Sequence, residues 1–319
     1  MAKLKIQAPL TVPANKIKEY HRNYRNLTND CGRLLLIAGD QKVEHLNSDF
    51  FGPGITPEDQ NPEHLFKIAA ASRGGVLATH LGLIARYGRK YQNVPYLIKL
   101  NGKTNLGPND SKDSSRLWWS VADIVKFKQD SGLNVVGIGY TLYLGGRHEP
   151  EMLATVSQAI YQAHQVGLTA VLWVYPRGPK INEEDVQTIA GGAGVAAALD
   201  ADFVKIKYPY ALKDKLKTAE KFRQATQAAG LTQVICVGGS KRPVKALLED
   251  LERQIKISGT SGLAMGRNLH QRPLSETIRL TAALGAIIFH NQNATAAYKI
   301  YSQLPKPLNQ SKSKFLGLF

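Results

Sequence analysis

The sequence predicts an α/β protein with the architecture of a single-domain (β/α)8 (TIM) barrel. Two features support this: short apolar runs recur along the chain, and segments with helical periodicity lie between them. Eight strand–helix repeats in 319 residues match the usual size of such a barrel. A doubly wound sheet is the alternative, but the first apolar run lacks the glycine fingerprint of a dinucleotide-binding turn.

The apolar runs are predicted to be the barrel strands. They are short and continuously apolar, which indicates parallel strands that are buried on both faces. In chain order the predicted strands are 33–40, 75–80, 95–100, 134–139, 169–175, 202–207, 233–239 and 261–266.

The segments between the strands carry helical features. The clearest predicted helices span residues 62–71, 151–166, 183–199 and 241–256. They are distinguished by apolar stripes at helical spacing, by a run of alanines or by a Lys-Arg-Pro start. We expect the catalytic barrel at 31–290, an N-terminal extension at 1–30 and a C-terminal helix or tail at 291–319.

The charge of the chain favours an anionic partner. Lysine and arginine number 41 against 25 aspartate and glutamate residues, which gives a net charge of +16. Nucleic acid and phosphorylated metabolites are the two candidate classes. The basic residues are scattered and form no zinc finger, ribonucleoprotein motif or base-reading helix. We predict no nucleic-acid partner, and most of these basic residues are expected to form a solvated surface, so the charge alone does not identify the partner.

Two features predict a soluble cytoplasmic protein with no membrane partner. No apolar stretch is long enough to span a bilayer, and the N-terminus lacks the apolar core of a signal peptide. Cys31 and Cys236 are far apart and form no Cys-x-x-Cys motif, which argues against a disulfide scaffold or a structural zinc site.

A barrel of this kind places its chemistry at the carboxyl ends of the strands. The polar and aromatic side chains predicted there are Asp40, Lys99, Trp173, Tyr175 and Lys205. Trp173 and Tyr175 are two residues apart and therefore share one face of their strand. The set contains a carboxylate, a phenol and lysines but no Ser-His-Asp combination.

Lys205 is the most informative of these residues. Lys205 and Lys207 share one face of their predicted strand. A lysine that is desolvated beside another cation has a lowered pKa, and its free amine attacks carbonyl carbon. The alternative is an edge strand whose lysines face water, and the segment alone is compatible with both interpretations.

Potential metal ligands also occur near the predicted rim. Asp40, Glu44, His45 and His80 are residue types that bind metal ions. We favour a structural role for both histidines, at the rim or at a helix start, and predict no metal site.

Two glycine-containing turns follow the last two predicted strands, where barrels often bind phosphate. The first turn carries Gly238, Gly239 and Ser240, and the second carries Gly266 and Arg267. Glycines at a helix start expose backbone N–H groups to phosphate, and an arginine adds a bidentate cation. Gly239, Ser240, Gly266 and Arg267 are predicted to hold one phosphate, and Gly238 is predicted to bind the substrate beside them.

Five segments together resemble the bacterial and archaeal class I fructose-bisphosphate aldolases, which form a Schiff base with their substrate. They are Gly-Asp-Gln-Lys-Val-Glu-His (39–45), Ile-Lys-Leu-Asn-Gly-Lys-Thr (98–104), Leu-Trp-Val-Tyr-Pro-Arg-Gly (172–178), Asp-Phe-Val-Lys-Ile-Lys-Tyr (202–208) and Met-Gly-Arg-Asn (265–268). The resemblance implies a lyase of glycolysis and gluconeogenesis. Such an enzyme reversibly cleaves fructose 1,6-bisphosphate to dihydroxyacetone phosphate and glyceraldehyde 3-phosphate without a cofactor. Barrels of this kind commonly associate, so we expect a homo-oligomer.

The resemblance also implies individual roles. It makes Lys205 the Schiff-base lysine, Tyr175 the proton relay, and Asp40 the group that orients hydroxyls and assists imine formation. Trp173 corresponds to an aromatic residue that favours the bisphosphate substrate. The chain departs from the family pattern at Val237, which replaces a serine of the phosphate turn.

Lys99 and Lys207 are expected to act beside the nucleophile. We predict that their charges keep Lys205 partly neutral and that they contact substrate oxygens. Lys42 stands where the family has a glycine.

Three alternatives are compatible with the sequence. The same fold and lysine could act on another phosphorylated ketone, as in 2-amino-3,7-dideoxy-heptulosonate synthases or phosphorylated-autoinducer thiolases. The others are a metal-dependent barrel enzyme, whose activity a chelator would remove, and a nucleic-acid-binding protein, which the charge of +16 suggests.

Overall fold

The computed structural model describes residues 4–107, 113–178, 181–210 and 213–303. Its strands are β1 (Leu34–Ala38), β2 (Gly75–His80), β3 (Tyr96–Lys99), β4 (Asn101–Gly102), β5 (Arg116–Leu117), β6 (Val135–Leu144), β7 (Thr169–Pro176), β8 (Phe203–Ile206), β9 (Gln233–Val237) and β10 (Gly262–Met265). Eight of them form a closed parallel barrel in the order β1-β10-β9-β8-β7-β6-β3-β2, while β4 and β5 pair as a small antiparallel ribbon.

The predicted (β/α)8 barrel is confirmed, and each of the eight predicted strands is present. The largest difference is in β6, which continues five residues beyond the predicted end at 139. This extension is possible because β7 pairs with β6 as far as Leu144 and Pro176. The β6–β7 pair therefore extends beyond the neighbouring strands at one side of the barrel mouth.

The α-helices are α1 (Ile17–Thr28), α2 (Gln41–Glu44), α3 (Glu63–Ala71), α4 (Leu81–Tyr87), α5 (Val121–Ser131), α6 (Glu149–Gln165), α7 (Val186–Ala198), α8 (Lys215–Ala229), α9 (Val244–Lys256), α10 (Arg267–His270), α11 (Leu274–Ile288) and α12 (Ala294–Gln303). The four helices predicted most clearly correspond to α3, α6, α7 and α9. Helix α7 begins three residues later than predicted because Asp185 caps it, accepting a hydrogen bond of 2.9 Å from the Thr188 N–H.

Alternate strand residues fill the barrel interior. Leu97 and Phe203 belong to the interior cluster, whereas Val204 and Ile206 pack beneath the surrounding helices. Because side chains alternate along a strand, Lys99 and Lys205 also point inward. Their exposed fractions are 1% and 5%, which excludes the interpretation of Lys205 as a solvated edge-strand lysine.

Helix α1 covers the amino ends of the strands. Its Leu27 belongs to the interior cluster, and Asn23 donates a hydrogen bond of 2.7 Å to the Gly167 carbonyl just before β7. Residues 304–319 of the predicted tail lie outside the described residues. No helix in the described part of the chain is long and apolar enough to cross a membrane.

Candidate active site

A cavity of about 240 Å³ opens at the carboxyl ends of the barrel strands. Eight of the eleven predicted site residues line it: Asp40, Tyr175, Lys205, Lys207, Gly238, Gly239, Gly266 and Arg267. Trp173 is buried beneath the cavity, and Lys99 lies beside it in a small adjoining space. Ser240 is exposed and does not line the cavity.

Lys205 projects into the cavity from β8. Its Nζ lies 4.9 Å from the centre of the Trp173 ring, a distance at which the ring face attracts an ammonium. Burial lowers the pKa of Lys205, while the charges of Asp40 and Glu44 oppose this shift. The net lowering increases the fraction of free amine, the form that attacks a ketone.

Lys99 and Asp40 form a charged pair in the barrel mouth. Lys99 Nζ lies 3.9 Å from Asp40 Oδ2 and 4.1 Å from the centre of the Trp173 ring. Burial and the charge of Lys205 lower the pKa of Lys99 to about 7, although Asp40 opposes the shift. The amines of Lys99 and Lys205 therefore both lie over the Trp173 ring.

Asp40 has one buried oxygen without a hydrogen-bond partner among the described residues. Burial alone would raise the pKa of its carboxyl group, but the charges of Lys205 and Lys99 hold that pKa below its usual range. Asp40 is therefore a carboxylate at neutral pH. Its Oδ1 is buried and has no hydrogen-bond partner among the described residues. An unpartnered buried oxygen at a cavity wall can accept a hydrogen bond from a hydroxyl group or water.

Lys207 does not assist Lys205 as the sequence suggested. Its side chain is 37% exposed, and its Nζ lies 2.7 Å from Glu184 and 3.4 Å from Glu183. Partial burial opposes any increase, but these carboxylates raise the pKa of Lys207. The prediction that Lys207 helps to neutralise Lys205 is wrong, since burial is what lowers the pKa of Lys205.

Tyr175 lies two residues beyond Trp173 on β7 and reaches the cavity wall. Burial, then Asp40 and Glu44, raise its pKa, so its side chain is a neutral phenol at physiological pH. Its ring centre is 6.1 Å from that of Tyr143 and 4.9 Å from the Arg177 guanidinium. A phenol held in this way can donate a proton into the cavity.

The two glycine turns form the opposite wall. Gly239 has φ +71, a conformation that favours glycine. Asn268 donates to the carbonyls of Gly238, Gly239 and Ser240 at 3.1, 3.2 and 2.8 Å and so fixes the first turn. The Gly238 N–H is not free, because it donates to the Ala264 carbonyl.

Two residues of the first turn differ from the prediction. Ser240 is exposed and does not line the cavity, and Gly238 lines the cavity but its N–H already donates to a carbonyl. Gly239, Gly266 and Arg267 remain at the wall, where Arg267 Nε lies 3.9 Å from Asp49.

Comparison with known proteins places this geometry in a family. Residues 34–272 match the model of the DeoC/LacD family of aldolases. The chain belongs to this family. A relative from Methanocaldococcus jannaschii is 46% identical over 302 residues, which cover 94% of this chain and 96% of the relative. It is named fructose-bisphosphate aldolase/6-deoxy-5-ketofructose 1-phosphate synthase.

Solved structures of related aldolases share the fold. The fructose-bisphosphate aldolase from Slackia heliotrinireducens superposes with a TM-score of 0.90 at 46% identity, over 95% of each chain. An archaeal fructose-1,6-bisphosphate aldolase superposes with a TM-score of 0.71 at 27% identity, over 85% of this chain and 99% of its own. In that structure the catalytic lysine is covalently bound to the carbinolamine intermediate of the substrate. The resemblance to Schiff-base aldolases is confirmed.

The histidines near the barrel rim have structural partners. His45 Nδ1 pairs with Asp49, and His80 Nε2 lies 3.3 Å from the Asn101 carbonyl, just before α4. Among the described residues, no group of three or more histidine, cysteine, aspartate or glutamate side chains is placed to hold a metal ion.

Three residues around the cavity were given no catalytic role from the sequence. Glu44, Tyr143 and Arg177 surround Tyr175, with the Tyr143 hydroxyl donating to Glu44 at 3.1 Å and Arg177 Nη1 3.9 Å from Glu44. Residues 140–144 are all types that are common in strands, and this composition could have shown that β6 continues to Tyr143. The contacts of Glu44 depend on the barrel closing, because β1 and β6 are far apart in sequence.

Proposed function

We propose that this chain is a class I aldolase that reversibly cleaves fructose 1,6-bisphosphate to dihydroxyacetone phosphate and glyceraldehyde 3-phosphate. The observation that carries the proposal is a buried lysine, Lys205, which reaches a polar cavity beside a carboxylate and a neutral phenol. Covalent attachment of substrate to the catalytic lysine of the archaeal structure supports the same chemistry here. The charge of +16 suits a substrate with two phosphates.

Catalysis begins at the ketone. The Lys205 amine attacks C2, and the carbinolamine loses water to form an iminium. The C3–C4 bond then breaks, its electron pair moves towards the iminium nitrogen, and the C4 hydroxyl loses its proton as the aldehyde leaves. The enamine regains a proton at C3, and water releases dihydroxyacetone phosphate. Because the iminium is the electron sink, the scheme requires no metal ion or other cofactor.

The surrounding residues have separate roles in this scheme. Tyr175 relays the proton between the C4 hydroxyl and C3, and Asp40 orients hydroxyls and assists the loss of water. Trp173 supports Lys205 and Lys99 from below. One substrate phosphate binds at the glycine turns, with donors from Gly239, Gly266 and Arg267. Lys99 and Lys207 contribute positive charge to the walls.

A second candidate reaction follows from the double name of the Methanocaldococcus jannaschii relative. Cleavage of 6-deoxy-5-ketofructose 1-phosphate between C3 and C4 gives dihydroxyacetone phosphate and 2-oxopropanal. Both candidate reactions therefore share one enamine and differ in the aldehyde, which is anionic in one and uncharged in the other. The heptulosonate synthase and autoinducer thiolase reactions would use the same lysine with other ketones.

The test compares these reactions in one preparation, with the Lys205→Met variant as control. Release of glyceraldehyde 3-phosphate from fructose 1,6-bisphosphate is measured with and without chelator. Condensation of dihydroxyacetone phosphate with 2-oxopropanal is followed by mass spectrometry. We expect chelator-resistant cleavage that the variant lacks. Condensation without bisphosphate cleavage would instead assign the second reaction, and salt-sensitive binding of DNA or RNA without either activity would favour the nucleic-acid alternative.

A further inference from the structure

A small cavity adjoins the main one where the β4–β5 ribbon meets the barrel mouth. Its volume is about 10 Å³, which is close to the smallest space that holds one water molecule. Asp40 lines both cavities, while His80, Lys99 and Ser115 line the small one. The scheme above gives no role to His80 or Ser115.

Three buried polar atoms at this small cavity have no hydrogen-bond partner among the described residues. They are Asp40 Oδ1, His80 Nδ1 and Ser115 Oγ. Their residues are 9%, 7% and 6% exposed, so bulk water does not satisfy them. A buried polar atom without a partner costs free energy, and three such atoms around one space of this size indicate a shared ligand.

The His80 ring is a hydrogen-bond acceptor on its Nδ1 side. Its Nε2 lies 3.3 Å from the Asn101 carbonyl oxygen, which can only accept, so the ring proton is on Nε2. Burial lowers the pKa of His80, although the charge of Asp40 opposes the shift, and the ring is therefore neutral at physiological pH. Nδ1 then carries a lone pair. The ring is held in place by Trp118, whose ring centre lies 4.9 Å away.

A ligand in the small cavity must donate two hydrogen bonds. The Asp40 carboxylate and His80 Nδ1 both accept, whereas the Ser115 hydroxyl can donate. One water molecule supplies two donors and accepts the third bond, and three hydrogen bonds are usual for a buried water. The volume leaves no room for a phosphate or for the carbon chain of a sugar.

We propose that this cavity binds one water molecule between Asp40, His80 and Ser115, and that this water is the reagent that hydrolyses the iminium on Lys205. His80 and Ser115 are its positioning residues. Asp40 connects the two cavities, because its carboxylate lines both and its charge interacts with that of Lys205. The inference rests on the proposed function, because the iminium belongs to that scheme.

The water takes part in one step that runs in both directions. In hydrolysis, the water oxygen forms a bond to C2 while the C=N electron pair moves to nitrogen, and the displaced proton passes to the Asp40 carboxylate. Loss of water from the carbinolamine is the reverse: the C2–O bond breaks, Asp40 returns the proton, and water re-enters the cavity. The same site therefore serves formation and release of the imine.

High-resolution crystal structures of the wild-type protein and Ser115→Val test the water site. Valine removes the hydroxyl and places methyl groups in the cavity. We expect a water peak within hydrogen-bond distance of Asp40 Oδ1 and His80 Nδ1 in the wild-type protein and none in the variant. A wild-type map without this peak would overturn the inference and leave the proposed function intact.

Rapid mixing with dihydroxyacetone phosphate, followed by borohydride quenching, tests the role of the water. Time courses of mixing and of dilution give the rate constants of imine formation and hydrolysis. Ser115→Val and His80→Phe should lower both rate constants by about tenfold, the usual effect of losing a hydrogen bond to a charged group. Ser115→Ala, which keeps the space, should lower them less. Ser157→Val, at an exposed serine of α6, is the matched control and should leave both unchanged.

The fraction of protein trapped at saturation separates this role from a merely structural one. Because one step is slowed equally in both directions, that fraction should stay at the wild-type value. A lower fraction with unchanged rate constants would overturn the role, as would unchanged rate constants in Ser115→Val and His80→Phe. If Ser115→Val fails to fold, His80→Phe and Ser115→Ala decide. A wild-type protein that forms no imine would overturn the proposed function, and with it the role of the water but not its site.

Discussion

Lys99 Nζ lies 3.9 Å from Asp40 Oδ2 in the barrel mouth, where both side chains are almost completely removed from water. Asp40 also faces Lys205, so one carboxylate balances two lysines. Burial lowers the pKa of each lysine and the Asp40 charge raises it. The carboxylate therefore limits how much of Lys205 is free amine at a given pH.

Asp40→Asn should lower the pH at which Lys205 becomes reactive. Removing the carboxylate removes the charge that favours the ammonium form, so the pKa of Lys205 falls further. The initial rate of borohydride trapping with dihydroxyacetone phosphate, measured from about pH 5 to about pH 10, should reach half its maximum at a lower pH than in wild type. Glu44→Gln should shift the midpoint in the same direction but less. A midpoint that stays in place or rises in Asp40→Asn would contradict the electrostatic account.

Tyr175→Phe should separate imine formation from turnover. The variant keeps the Lys205 amine and the cavity wall but loses the phenolic proton, so trapping on Lys205 should persist. The kcat for fructose 1,6-bisphosphate cleavage should fall by about 100-fold to 10,000-fold, the usual contribution of a positioned general acid. Steady-state kinetics and trapping on the same preparation provide the measurement. Loss of both in parallel would assign Tyr175 to binding or folding.

His164 contributes stability that depends on pH. Its ring nitrogens lie 3.2 Å from Asp200 and from Asp202, and Tyr20 of α1 donates to Asp202. Burial disfavours the charged ring, but the two carboxylates raise the pKa of His164 to about 9. Because this exceeds the unfolded value of about 6.5, the stabilisation is complete below about pH 6.5 and is lost as pH rises through about 9.

His164→Asn should therefore destabilise the protein most at acidic pH. Urea unfolding at about pH 6 should show a deficit on the order of 3 kcal/mol that becomes much smaller at about pH 10. His290→Asn, at an exposed histidine, is the control and should have little effect at either pH. An equal deficit at both pH values would show that His164 acts through packing and not through its charge.

The barrel was predictable because each strand is recognised from a short stretch of neighbouring residues. Each buried strand is a short apolar run bounded by turns, and the inward direction of Lys205 follows from its spacing to Phe203. The composition of the cavity wall was also largely predictable, since the carboxyl ends of parallel strands meet at one edge.

Side-chain partners were not predictable, since they depend on the closed barrel. Nothing near Lys207 in sequence indicates that it turns away to Glu183 and Glu184, which follow a different strand. The pair of Asp59 and His270 joins residues 211 positions apart. The loss of the Gly238 donor arises from backbone pairing between neighbouring strands, which apolar patterns do not report.

The most direct test of the central claim is identification of the lysine that forms the imine. Wild-type protein is reduced with borohydride in the presence of dihydroxyacetone phosphate, digested and sequenced by tandem mass spectrometry, with fragments that separate Lys205 from Lys207. We predict an adduct on Lys205 alone, its loss in Lys205→Met, and its persistence in Lys207→Met. An adduct on Lys207 or Lys99, or trapping and cleavage that survive in Lys205→Met, would contradict the account.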